Sequence, residues 1–378
     1  MNTYKFKISV FICVYLWLLL ACSPKSDEIR VGFYGPLSGN MAFFGTSVVR
    51  GIELGLEVIN RTGINGRRIR LFIEDDRGNP EEAQTAVSRL ITRDRVVAVL
   101  GEPSSSNSIA AAPVCQQHRI PMITPAATNV QVTQIGDFIF RICWIDPFQG
   151  EIMARFAVEE LKARTTAILY DVSSDYSTGL TEIFRNTVEE LGGKVLLAES
   201  FTAGDTNFSA QLTTIIAAKP DVLYVPAYYN EAGLIMRQLR ALNSNMQVIG
   251  SDGWDATQLL EIGGAAMNGS YYCTHFLPSD PDPIVQQFVA NLKKKHHINP
   301  SMGEALGYDA ILLLADAMRR SSVDDPQKIR DAIAATRNFH GVTGIISIDE
   351  HRNAKKAALI VKIENQKAKL YKKLEPKK

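Results

Sequence analysis

Val96-Val97-Ala98-Val99-Leu100-Gly101-Glu102-Pro103-Ser104-Ser105-Ser106 decides the fold. The first five residues are apolar without a break, as in a strand covered on both faces. Gly101 and Pro103 punctuate the run. A helix is predicted over Ser105–Gln117 and a further strand at Pro121–Ile123. A continuous apolar strand, a short loop and a helix make the β-α-β unit of a parallel sheet with helices on its faces.

The alternation extends both ways. Upstream, Ile29–Phe33 and Ile69–Ile73 predict strands. Val48, Val49, Ile52, Leu56 and Ile59 give Thr46–Asn60 helical spacing, and Pro80 followed by acids opens a helix to Arg93. Downstream, strands at Ala167–Tyr170, Lys194–Ser200, Val222–Val225 and Gln247–Gly250 alternate with helices at Thr178–Leu191, Asn207–Ala218 and Glu231–Leu242. The second half thus copies the element order of the first, which predicts two α/β lobes. Strands near Phe138–Cys143 and Ser270–His275 fall where the chain passes between them. Helices at 284–295 and 305–336 return to the first lobe, and Val342–Ile348 and Ala357–Ile363 are late strands. The expected division is 29–144 plus 276–344 for lobe 1 and 145–275 plus 345–378 for lobe 2. The six lysines after Glu364 are expected to form a solvated tail.

Lys5 and Lys7 precede an apolar run from Ile8 to Ala21, broken only by Ser9. The run is short for a membrane span and sits where a secretory signal does. It ends Leu19-Leu20-Ala21-Cys22, which resembles the lipobox of bacterial lipoprotein precursors. Residues 1–21 are therefore expected to be a signal peptide, 22–28 an anchor and linker, and Cys22 the lipid attachment point. Acyl chains hold a membrane at about 0.8 kcal/mol per buried CH₂, so several together anchor stably. Residues 1–21 contain two of the 41 basic residues and none of the 40 acids, so the mature charge is near neutral. That balance points away from a nucleic-acid partner. An apolar content of 46% suffices for two cores. Beyond Cys22 the mature chain holds Cys115, Cys143 and Cys273, an odd number that rules out a full disulfide framework. Buried free thiols are expected, with one bridge left open.

In open parallel sheets ligands sit beyond the carboxyl ends of the strands. The loops there are 34–45, 101–106 and 124–129 in the first half, and 171–176, 226–230 and 251–254 in the second. Ser105 and Thr128 open helices or turns, whose free N–H groups suit a carboxylate. The Ala126 carbonyl, the Thr128 hydroxyl and the Asp252 carboxylate suit an ammonium. Phe44, Tyr176 and Tyr228 are placed to cover the rest. Capping alone would also explain the serines, and a turn would explain Asp252.

The chain resembles the leucine/isoleucine/valine-binding branch of the periplasmic solute-binding proteins. The resemblance is carried by Gly35-Pro36-Leu37-Ser38-Gly39, Gly45, Gly51, Ile59-Asn60, Glu74-Asp75-Asp76 with Asn79-Pro80, and Gly101 with Ser105 before Ala112-Pro113. It continues through Ile120-Pro121 to Thr128, Asp175-Tyr176 with Gly179, and Gly307-Tyr308-Asp309-Ala310, so that it spans nearly all of 29–363. It implies two Rossmann-like lobes with parallel sheets joined by three crossovers, the type I periplasmic-binding fold. It implies that Ser105, Ala126 and Thr128 hold an amino acid's head group from lobe 1. Tyr176, Tyr228 and Asp252 would close from lobe 2, with Phe44 over the ligand. It further implies a branched-chain or similar amino acid as ligand, ABC permease and ATPase subunits as partners, and a place outside the cytoplasm. Two departures stand out. Asp252 replaces the longer Glu of some relatives, and Gly303 lies where many carry an aromatic against the ligand side chain. Amides, urea and aromatic acids are alternative ligands within the family, and a sensing module is an alternative role.

No cofactor or metal is expected, and catalysis is not. The chain has no Gly-x-Ser-x-Gly elbow, and its glycine-rich stretch 35–45 lacks a Gly-Lys-Ser/Thr ending. Adjacent His296 and His297 diverge on a helix, so they make a poor metal pair. Only His275 lies near an expected crossing between lobes.

Overall fold

Three short, fully buried strands and two longer, partly exposed ones make the first sheet in the computed structural model, which describes residues 28–375. Its strands are β1 (Glu28–Gly35), β2 (Arg68–Asp75), β3 (Ala98–Leu100), β4 (Met122–Thr124) and β5 (Ile139–Arg141). They run parallel in the order β2-β1-β3-β4-β5. β3, β4 and β5 are buried along their whole length; β3 is wholly apolar, whereas β4 and β5 end in buried Thr124 and Arg141.

The second sheet is mixed. Its core is β6 (Thr165–Asp171), β7 (Lys194–Phe201), β8 (Val222–Val225), β9 (Gln247–Gly250) and β10 (Tyr271–Thr274), all parallel. β14 (Ala358–Glu364) then pairs antiparallel with β10, and β15 (Lys367–Leu374) antiparallel with β14. The expected solvated lysine tail is therefore corrected: its first part is an edge strand. Its lysines face water and acids, Lys369 with Glu364 at 3.0 Å and Lys372 with Glu160, and charged edges discourage further strand pairing. Tyr371 packs on Phe156 and Tyr271. A third, small sheet joins β11 (Phe339–Gly341), β12 (Gly344–Ile348) and β13 (Ala354–Lys355).

Local chemistry sets the helix ends. The Pro80–Thr92 helix starts where the Asn79 side chain accepts from Glu81 N and Glu82 N. The long helix expected over 305–336 is two, Met302–Arg320 and Pro326–Ala334. The first opens with a Ser301/Glu304 capping box, and the second with Asp325 capping ahead of Pro326. The loop expected to reach Gly45 ends earlier, because the helix Ala42–Ile59 takes in Phe44. The helix Asp146–Arg155, with a π-turn behind it, had no counterpart in the sequence pattern.

The chain passes between the two large sheets after β5, after β10 and before β14. Helix Met302–Arg320 packs against Ala42–Ile59 so closely that a Cβ on Gly51 would meet Glu304 O at 2.0 Å, and one on Gly307 would meet Val48 O at 2.3 Å. The Asp309 carboxylate accepts from Val342 N, Thr343 N and the Thr343 hydroxyl, which ties the small sheet to that helix. Gly307 and Asp309 are thus explained by helix contact and turn capping. Cys22 and the expected signal segment lie outside the described residues. Cys115, Cys143 and Cys273 are free and buried.

Candidate functional site

The carboxyl ends of β1, β3 and β4 face those of β6, β8 and β9, and the loops between them meet across one cleft. Phe44, in the first turn of its helix, is 3% exposed. It stands edge-on to Tyr228 at 5.7 Å and to Tyr229 at 5.2 Å. Tyr176 stacks on Tyr228 with ring centroids 5.0 Å apart. Phe44, Ala126, Tyr176, Tyr228 and Asp252, all expected from the sequence, enclose one cavity of about 10 Å³. Pro103, Gly253 and Met302 complete its wall. Ser105 and Thr128 are fully buried but are not on that wall.

Asp252 opens a short 3₁₀ turn directly after β9 and is 2% exposed. The Tyr176 hydroxyl donates to Asp252 Oδ1 at 2.6 Å, and His275 Nε2 lies 3.2 Å from Oδ2. Burial pushes the Tyr176 phenol up, so its hydroxyl keeps the proton it donates. Burial also lowers His275 to about 3, so its imidazole is neutral. Gly253 N donates to Tyr176 Oη at 2.9 Å. A side chain on Gly253 would run into Ala227 O and that hydroxyl.

The opposite wall is built on backbone. Ser104, not Ser105, occupies the helix N-cap, and it makes no side-chain cap bond. Ser105 Oγ instead accepts from Asn129 N at 3.2 Å. Arg141, fully buried, donates from Nη1 to Ala127 O at 2.6 Å and from Nη2 to Asn129 O at 2.8 Å. It therefore fixes the 126–129 loop. Gln149 joins the two walls. Its Nε2 donates to Asp146 Oδ1 at 3.0 Å and Thr128 Oγ1 at 3.4 Å, and its Oε1 accepts from Asp252 N at 3.4 Å. Burial raises Asp146 to about 7. Glu102 lies beneath the helix start and is pushed up by burial and by Asp76.

Arg141, Gln149, His275 and Met302 carry no sequence motif. Only His275 had a signal, its place at a lobe crossing. Met302 explains the departure at Gly303: a Cβ there would meet Ser47 Oγ at 2.1 Å, so the helix sits close and the preceding residue reaches the cavity. Asp171 holds its own loop, accepting from Ser173 N and Oγ.

The walls are locked together at the rim. Asn129 Nδ2 donates to Asp175 O at 2.7 Å, Asp175 N to Ser106 Oγ at 3.1 Å, and the Tyr229 hydroxyl to Asn40 O at 2.8 Å. A cavity of about 10 Å³ admits roughly one water. Any larger ligand reaches Asp252 only after the lobes part. Outside the rim a hollow of about 520 Å³ runs past Asn40, Ser104, Ser106, Ser174 and Glu231.

Two lobes facing each other across a buried, two-sided polar cleft define a ligand-binding protein. The periplasmic binding protein family profile matches residues 28–368. The chain is 29% identical to a leucine-, isoleucine-, valine-, threonine- and alanine-binding protein of Pseudomonas aeruginosa, over 88% of this chain and 89% of that one. It resembles the crystal structure of a leucine-binding protein from Thermotoga maritima with a TM-score of 0.89 and 38% identity, covering 92% and 99% of the two chains. The branched-chain amino acid binding protein of Streptococcus pneumoniae, solved with isoleucine, matches at 0.88 and 31%, covering 92% and 100%. The chain belongs to the periplasmic binding protein family, in its leucine/isoleucine/valine-binding branch. It is a solute-binding protein rather than an enzyme, and its family works outside the cytoplasm.

Proposed function

We propose that this chain captures a branched-chain or similar apolar amino acid and delivers it to an ABC importer from a lipid anchor at Cys22. The observation that carries the ligand is the cavity itself: its wall combines a buried carboxylate with the apolar side chains of Phe44, Pro103 and Met302. An ammonium taken into a closed cleft needs a charged, hydrogen-bonded partner, and Asp252 supplies one. The ligand carboxylate would meet the helix N-terminus at Ser105, where N–H groups and the helix dipole favour an anion. Ala126 and Thr128 would bound the head group, and Tyr176, Tyr228 and Phe44 would cover it. The similarity to relatives named for leucine, isoleucine and valine supports the ligand class.

In this proposal the lobes divide at 144/145 and 275/276. The third crossing falls near Lys356 rather than at 344/345, because Arg141 N bonds Arg352 O and Thr133 bonds Asn353 on the first lobe's side.

A thermal-shift screen of amino acids, amides and small aromatic acids tests the ligand. L-leucine or a close relative should give the largest rise in Tm, and a response to benzoates alone would overturn the assignment. Labelling cells with an alkyne fatty acid tests the anchor: Cys22→Ala should lose the label that the wild type takes up.

A further inference from the structure

His275 follows β10, where the chain leaves the second sheet for the first. Its side chain is wholly buried. His275 Nε2 lies 3.2 Å from Asp252 Oδ2, and the tautomer with its hydrogen on Nε2 donates to a carboxylate there. His275 Nδ1 has no hydrogen-bond partner among the described residues. The imidazole lies flat on Trp144, with ring centroids 3.2 Å apart and planes 18° from parallel. Trp144 stands just after β5, on the first passage between the sheets.

A buried imidazole with one idle nitrogen is a costly way to fill space. Leucine or phenylalanine would pack there without burying a polar atom. The bond to Asp252 is what accounts for histidine. The need is greater because Asp252 is a short acid, anchored at Oδ1, among the described residues, by Tyr176. A carboxylate left free at its other oxygen would turn about its side-chain bond.

We propose that His275 is a positioning residue for Asp252: stacked on Trp144 at the hinge, it fixes the carboxylate that receives the ligand's ammonium. Two of the three passages between lobes thus meet behind the binding carboxylate. This inference rests on the ligand assignment proposed above, and one set of titrations separates the two.

L-leucine is titrated calorimetrically into the full mature chain and into His275→Leu, His275→Gln and His275→Asn, each checked for folding by its melting curve. Gln extends an N–H to the place of Nε2, whereas Leu has none and Asn stops short. His275→Leu and His275→Asn should bind L-leucine about 10- to 100-fold more weakly, the worth of one hydrogen bond to a charged group. His275→Gln should recover most of that loss. If the wild type binds neither L-leucine nor any other amino acid, the ligand assignment falls and this inference with it. If the wild type binds and His275→Leu stays within about threefold of it, only the inference falls. Equal weakening by Leu and Gln would assign His275 to packing and overturn it too. Should His275→Leu fail to fold, the Gln and Asn variants decide, and equal affinities overturn the proposal.

Discussion

The two walls of the cleft are made of different material. The first wall is largely backbone: a helix start at Ser105 and a loop whose carbonyls at Ala127 and Asn129 are pinned by buried Arg141. The second wall is side chain: Tyr176, Tyr228 and Asp252, held by Ser251 and His275. A backbone wall tolerates change in the residues that line it but fails if its internal clamp goes. A side-chain wall fails residue by residue, and its chemistry can be retuned without refolding. The difference suggests a division of labour, with the first wall suited to an anionic group and the second to a cationic group and to fit.

The largest expected break in this contrast is Asp252→Asn. Losing a buried charge-assisted partner costs about 2–5 kcal/mol of binding, roughly 30-fold to several-thousand-fold. Calorimetry with L-leucine should show that loss with an unchanged melting curve, and binding within about threefold of the wild type would remove the ammonium from this place. Arg141→Met should act in the opposite manner. It takes the charged donor away from two buried carbonyls, leaving Ala127 O to the Cys143 thiol and Asn129 O to Val132 N, at about 1.5–3 kcal/mol each, so stability should fall first and affinity only as a consequence. A urea titration showing wild-type stability would sink the clamp. Tyr176→Phe removes one donor to Asp252 and keeps the ring on Tyr228. A hydrogen bond to a charged group is worth about 1.5–3 kcal/mol, so affinity for L-leucine should drop, and the lost acceptor for Gly253 N should lower the melting temperature as well. Unchanged affinity with a lowered melting temperature would make the hydroxyl structural. The smallest effect is expected at Met302→Ala, where the enlarged cavity should shift preference from leucine toward phenylalanine by about tenfold, the low end of what one methylene is worth in an apolar pocket. An unchanged preference in competition titrations would mean that Met302 does not bound the ligand side chain.

The two halves of the molecule also differed in how far they could be followed from the sequence. Val222–Val225 and Gln247–Gly250 are strands over the predicted residues, because a buried parallel strand announces itself as an apolar run. The break at Asp325-Pro326 was also written in local residues, a cap followed by proline, but helical spacing on both sides hid it. The edge strand β15 was less visible. Four of its eight residues are lysines, a composition that in isolation suits solvent.

What the sequence by itself determined is therefore local or ordered along the chain. The two α/β lobes follow from hydrophobic period and element order. The gathering of Phe44, Ala126, Tyr176, Tyr228 and Asp252 follows from the rule that parallel sheets bind at their strand ends, together with the family resemblance. What the tertiary structure decided is every contact between distant parts. His275 meets Asp252 across 23 residues and Gln149 meets it across 103. Arg141 turns back on a loop 12 to 14 residues earlier. Met302 reaches the cavity because Gly303 lets two helices touch. Such contacts leave no periodic trace, because each depends on packing geometry between elements and not on the propensity of either one.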